Sequence, residues 1–141
     1  MSMFRWGLPF VIVALVAFGC SDNKPTNKLY SVSGKVTLDG EPLNGGVVKF
    51  APDASKGNTQ KVSPSGTIDA QGQYQLKTGD EKGMNDGAPA GWYKVGVLTE
   101  GPGITSSKTI NARYKDPSTS GLEKEVVASP ASGAYDLPVT K

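Results

Sequence analysis

From Tyr30 to Leu38 the chain reads YSVSGKVTL, with hydrophobic and polar positions in strict alternation. Tyr30, Val32, Val36 and Leu38 fall on one face, and Ser31, Ser33, Lys35 and Thr37 on the other. A period of two belongs to a half-buried strand and fits no helix. Asp39-Gly40 follows at once, a pair that favours a tight hairpin turn. A second short strand is expected at VVKF (47–50), reached through Pro42 and the Gly45-Gly46 pair. QYQLKT (73–78) alternates again, with Tyr74 and Leu76 inward. WYKVGVLT (92–99) turns Tyr93, Val95 and Val97 to one side. TID (67–69), EVVA (125–128) and AYDL (134–137) complete a set of about seven strands.

After residue 28 no run of ten or more residues repeats its apolar positions at helical spacing. Short strands separated by turns indicate an all-β fold, an antiparallel sandwich or barrel. The 100–120 segment is a long polar connection, in which Ile104, Ile110 and Tyr114 are the side chains available to pin it to the core. Gly and Pro, 18 and 10 of 141 residues, stand well above the ordinary ~12% and fit a turn-rich domain. No internal repeat is visible, and the apolar content after residue 19 suits one sandwich rather than two domains.

The N-terminus follows another rule. Residues 1–19 hold one charged side chain, Arg5, and the stretch from Gly7 to Gly19 holds none. As a helix that stretch would reach ~20 Å, short of the ~30 Å hydrocarbon core. A cationic start, a short apolar run and small residues at its end match a secretory signal peptide over residues 1–19. Cys20, the sole cysteine, stands where the apolar run stops. Residues 20–28 then read as a flexible tether, because SDNKPTNK carries no hydrophobic side chain. Eight such residues span roughly 16 Å root-mean-square. The folded domain is expected over residues 29–141.

The stretch AFGC, residues 17–20, resembles the lipobox of bacterial lipoproteins, although Ala17 stands where that family prefers leucine. The resemblance implies a lipidated Cys20 as the new N-terminus. Two or more acyl chains anchor stably where one does not. Ser21 after the cysteine implies an outer-membrane address rather than retention at the inner one.

Four further stretches, VSGKVTLDGEPLNGGVVKF (32–50), SGTIDAQGQYQL (65–76), DGAPAGWYKVGV (86–97) and ARYKDPSTSGL (112–122), resemble the carboxypeptidase regulatory-like domain. Ile68 departs from the threonine usual before the turn aspartate. The resemblance covers nearly all of the chain beyond the tether. It implies a single transthyretin-like, immunoglobulin-like β-sandwich in a small bacterial lipoprotein.

Charge and chemistry narrow the function. Fifteen Lys and Arg against thirteen Asp and Glu give no basic face for nucleic acid. The chain has no histidine, which removes Ser-His-Asp and Cys-His triads and the histidine-dependent chemistry of enzymes with related folds. No acidic pair stands out for glycoside hydrolysis. A non-catalytic domain without a cofactor is therefore expected.

Two weaker features remain. The stretch TGDEKGMNDGA (78–88) gathers Asp80, Glu81, Asn85 and Asp86, oxygen ligands of a kind that suits Ca²⁺. Its spacing misses the EF-hand pattern and Lys82 intrudes, so a solvated loop is expected there. Asp69 is a further calcium candidate, but in DAQGQY it more simply closes a hairpin with Gly72. Trp92 and Tyr93 are the candidate aromatic platform for a ligand.

The leading expectation is a lipid-anchored envelope protein whose sandwich is a structural or protein-interaction module. The alternative is a carbohydrate-binding module. Its partners would be the membrane, through the lipid on Cys20, and an envelope protein or a glycan.

Overall fold

The computed structural model describes residues 28–141. The signal segment 1–19, Cys20 and the tether up to residue 27 lie outside the described residues.

The described chain is all-β. In order it forms β1 (Leu29–Tyr30), β2 (Ser33–Leu38), β3 (Glu41–Pro42), β4 (Gly46–Pro52), β5 (Ser65–Ile68), β6 (Gln73–Gln75) and β7 (Lys77–Asp80). Then come β8 (Gly83–Asp86), β9 (Ala88–Pro89), β10 (Gly91–Leu98), β11 (Leu122–Val126) and β12 (Leu137–Val139). Two single turns of 3₁₀ helix, Ala54–Lys56 and Ala112–Lys115, are its only helical elements among the described residues. Twelve strands thus replace the seven expected, partly because the structure uses two- and three-residue strands that leave no periodic signal.

One sheet has the order β11-β10-β4-β5-β7-β8. In the other, β2 is central, flanked by β12 on one side and by β3 and β6 on the other. β1 pairs separately with β9. All these pairings are antiparallel except β12 with β2, which is parallel and matches Leu137 to Val36 and Val139 to Leu38.

The two sheets meet across one core. Val48, Phe50, Tyr93, Val95 and Val97 enter it from the larger sheet, and Val32, Val36, Leu38, Leu137 and Val139 from the smaller. The Phe50 and Tyr93 rings pack tilted, with centroids 5.6 Å apart. Each such side chain contributes roughly 1.5–3 kcal/mol when fully buried.

The first strand behaves as its alternation dictates: Val32, Val36 and Leu38 are buried and Ser31 and Ser33 exposed. Asp39 and Gly40 both take positive φ, 50° and 89°, and join β2 to β3 across a two-residue turn. That conformation is the one whose twist suits a hairpin.

Three expectations change. QYQLKT is not one strand: its first half pairs with β2 in the smaller sheet, and its second half joins β5 and β8 in the larger. The turn at DAQGQY closes as expected, with Asp69 N donating to Gln73 O at 2.9 Å, and it passes the chain from β5 of the larger sheet to β6 of the smaller. Asp69 accepts from Gln71 N and Gln73 N, both at 2.9 Å, and Gly72 takes φ 81°. The 78–88 stretch is not a loop, because β7 and β8 form a hairpin there in register from Lys77–Asp86 to Asp80–Gly83. The last strand lies at 137–139 instead of 134–137. Asp136 is held in a turn where its carboxylate accepts from Lys35 N at 3.0 Å.

The polar 100–120 connection is pinned by Ile110 and Tyr114, both buried, with Ile104 half-buried. Within it, Pro117 lies on Gly96 of β10, so close that a Cβ there would sit 3.0 Å from the proline ring. Ser120 Oγ completes the attachment by donating to the Val95 carbonyl at 2.5 Å.

Candidate functional site

Trp92 and Tyr93 are consecutive residues of β10, so their side chains leave opposite faces of the sheet. Tyr93 is fully buried and donates its hydroxyl to the Pro89 carbonyl at 2.8 Å. Burial pushes its phenol up from the ordinary value, opposed by the Asn58 side chain. Tyr93 is therefore a core residue, and the two-ring platform reduces to Trp92 alone.

Trp92 is half-buried on the outer face. The 53–58 turn is built against its backbone: Asp53 N and Asn58 Nδ2 both donate to the Trp92 carbonyl, at 3.0 and 2.9 Å. Asp53 caps the 3₁₀ turn by accepting from Ser55 N and Ser55 Oγ, and the Ser55 hydroxyl holds its carboxyl below the usual range against the opposing effect of burial. The turn carries Lys56 over the indole, its ammonium 4.1 Å from the ring centroid. Lys56 also pairs with Glu123 of β11 at 2.7 Å. One face of the tryptophan is thus covered by a cation held from a neighbouring strand. Lys56 and Glu123 lie 67 positions apart, and no local pattern in the sequence points to them.

The calcium candidates are spent on the β7–β8 hairpin. Asp80 Oδ1 accepts from Lys82 N at 2.7 Å and Asp80 Oδ2 from Asn85 Nδ2 at 2.9 Å. Asp86 faces Lys77 at 3.4 Å, and Glu81 is exposed in the turn. Asp69 lies at a different turn. Among the described residues no three His, Cys, Asp or Glu side chains gather closely enough to hold a metal ion.

What the hairpin does present is an edge. β8 ends the larger sheet, all four of its residues are exposed, and Met84, 61% accessible, is the only exposed large hydrophobic among the described residues. Its sulfur lies over Gly79 of β7. Glycine and acidic residues in the 78–88 stretch read as a loop, and no apolar alternation there announces the edge.

A groove of about 750 Å³ runs beside the β2–β3 turn, lined by Asp39, Glu41, Lys108 and Lys141 among others. Lys108 is engaged there, donating to the Pro42 carbonyl at 3.2 Å and lying 3.6 Å from Glu41. Among the described residues no helix is long and apolar enough to cross a membrane.

Compared with family models, with characterised proteins and with solved structures, the chain matches none.

Proposed function

We propose that this is a lipid-anchored cell-envelope protein whose β-sandwich works as a non-catalytic interaction module of the carboxypeptidase regulatory-like kind. The observation that carries the interaction role is the open β8 edge with Met84 upon it. An exposed edge strand offers a row of backbone donors and acceptors to another strand. The anchor rests on the AFGC stretch and the tether after it, which would hold the domain close to the membrane surface. Its place would be the envelope, at the outer membrane.

The first test is the intact mass of the protein extracted from bacterial membranes, beside a Cys20→Ala variant. Loss of residues 1–19 with gain of a diacylglyceryl and an acyl group is the expected result. A cleaved, unmodified and soluble species would end the anchor reading.

A glycan-binding module is the second reading, and Trp92 is the observation that favours it. A sugar would stack on this indole by displacing Lys56 from its face. Titrating oligosaccharides while following tryptophan emission tests this: a saturable shift supports it, and an unchanged spectrum removes it.

A further inference from the structure

We propose that the β8 edge pairs with the same edge of a second copy, antiparallel about a two-fold axis at Met84, continuing the six-stranded sheet into its partner. The inference rests on reading β8 as an interaction edge and names its occupant; it does not depend on the lipid.

Backbone geometry sets the register. Asp80 and Gly83 flank a two-residue turn and are partners in the ladder. In such a hairpin the flanking pair exchanges its hydrogen bonds inward, so the next residue turns its N–H and C=O outward. On β8 that residue is Met84, followed by Asp86. A strand added at this edge bonds to Met84 and Asp86, and the two-fold arrangement sets Met84 against the partner's Met84.

Charge then selects the occupant. With Met84 on the axis, Lys82 of each copy comes beside the partner's Asp86, twice over. Met84 and Asp86 alternate with Asn85 and share one face of β8, and Lys82 stands in the turn just before it, where its N–H donates to Asp80 Oδ1 at 2.7 Å. Lys77 lies on the same face, 3.4 Å from Asp86, so each Asp86 would sit between two lysines. A parallel alignment would instead oppose Lys82 to Lys82 and Asp86 to Asp86, which is destabilising.

The opposite edge of the same sheet behaves differently. On β11, antiparallel self-pairing about Lys124 would set lysine against lysine and Glu123 against the partner's Glu125. Natural edges use like charges in this way to refuse their own copies. β8 carries no such guard, and it carries the exposed methionine. Four residues bury less than the ~1,000 Å² of a stable interface, so the dimer is weak in solution and strengthened wherever copies are concentrated together.

The experiment uses the full chain with Cys20→Ala, which leaves the edge intact and removes the lipid, purified in mild detergent. Met84→Cys is added as a reporter at an exposed position. Directly hydrogen-bonded antiparallel partners have Cα atoms ~5.5 Å apart, within disulfide range. Mild oxidation should therefore link two copies through position 84. Adding Lys82→Glu, or separately Asp86→Lys, should slow linking by about tenfold, since each brings like charges together at two places. Mixing the two variants should restore it, because every facing pair in the mixed dimer is then opposite in charge. Absence of linking in the parent would overturn the proposal, as would linking indifferent to the charge variants. Flotation of the unlinked chain with phosphatidylglycerol vesicles, lost on Met84→Ser, would overturn it in favour of a lipid surface. Failure here leaves the mass measurement on Cys20 untouched, and failure there leaves this one untouched.

Discussion

Tyr74 donates its hydroxyl to the Tyr135 carbonyl at 2.5 Å, and this buried bond joins β6 to the turn that precedes β12. Gly34 lies directly beneath it, where any Cβ would collide with the same carbonyl and approach the Tyr74 ring at 3.1 Å. The bond ties together segments 61 residues apart, on either side of the central strand β2. Tyr74→Phe removes the donor and leaves a buried acceptor unmet, at a cost of about 1–3 kcal/mol. Thermal unfolding should move down by about 4 °C for each kcal/mol lost.

The same phenol gives the fold an alkaline limit. Burial, then the negative charge of Asp136, raises the Tyr74 pKa far above its ordinary 10.0. A group raised in the folded state stabilises fully below its unfolded pKa and loses that contribution as pH climbs towards the folded one. Stability should therefore fall above about pH 10, and Tyr74→Phe should flatten that fall. Urea midpoints across the alkaline range measure it; an unaltered slope in the variant would assign the loss to other groups.

Gly34→Ala should be costly although its backbone is open to any residue, because the obstacle is the Tyr135 carbonyl and not φ. Overpacking of this kind costs about 1–3 kcal/mol. Denaturant unfolding of Gly34→Ala beside Gly40→Ala separates the two causes. Gly40 has φ 89° with nothing within 4 Å of a Cβ, so its penalty is conformational alone. The first variant should recover partly when Tyr135 and its turn are loosened by Asp136→Ala; the second should not.

Lys56→Ala should uncover Trp92. Acrylamide quenching of its emission should rise, with stability reduced by only about 0.5–1 kcal/mol, the usual scale for an exposed cation over a ring. Glu123→Gln should produce a smaller change in the same direction by releasing the lysine. Quenching that does not respond to either variant would place the covering of Trp92 elsewhere.

Asp116 links stability to acid. The Ser118 hydroxyl and backbone N–H hold its carboxyl below the ordinary 3.8, opposed by burial and aided in smaller measure by Lys49. A lowered carboxylate stabilises above its unfolded pKa and ceases to do so as pH falls through the folded one. Asp116→Asn should lessen the acid sensitivity of the segment lying on β10, read as proteolysis after residue 115 between pH 5 and pH 2, a window that brackets ordinary carboxylate values at roughly 4.

The period-two runs at 30–38 and 92–99, the Asp39-Gly40 turn and the dearth of helical spacing determined the fold class, and the two runs placed Val32, Val36, Leu38, Tyr93, Val95 and Val97 in the core. They succeed because alternation is a local consequence of the pleat, and because a two-residue Asp-Gly turn carries its own conformation. The same local rule puts Trp92 and Tyr93 on opposite faces, which is why the expected two-ring platform does not form. Which strand pairs with which was decided only in three dimensions. Nothing near residue 76 announces that β6 and β7 belong to different sheets, and nothing near Pro138 that β12 lies parallel to β2. Such pairings join residues up to about a hundred positions apart, and their selection depends on the whole core closing at once. The Lys56–Trp92–Glu123 contact and the open β8 edge arise in the same way: each side chain is ordinary in its own segment, and its role comes from the strand that the fold sets beside it, or leaves absent.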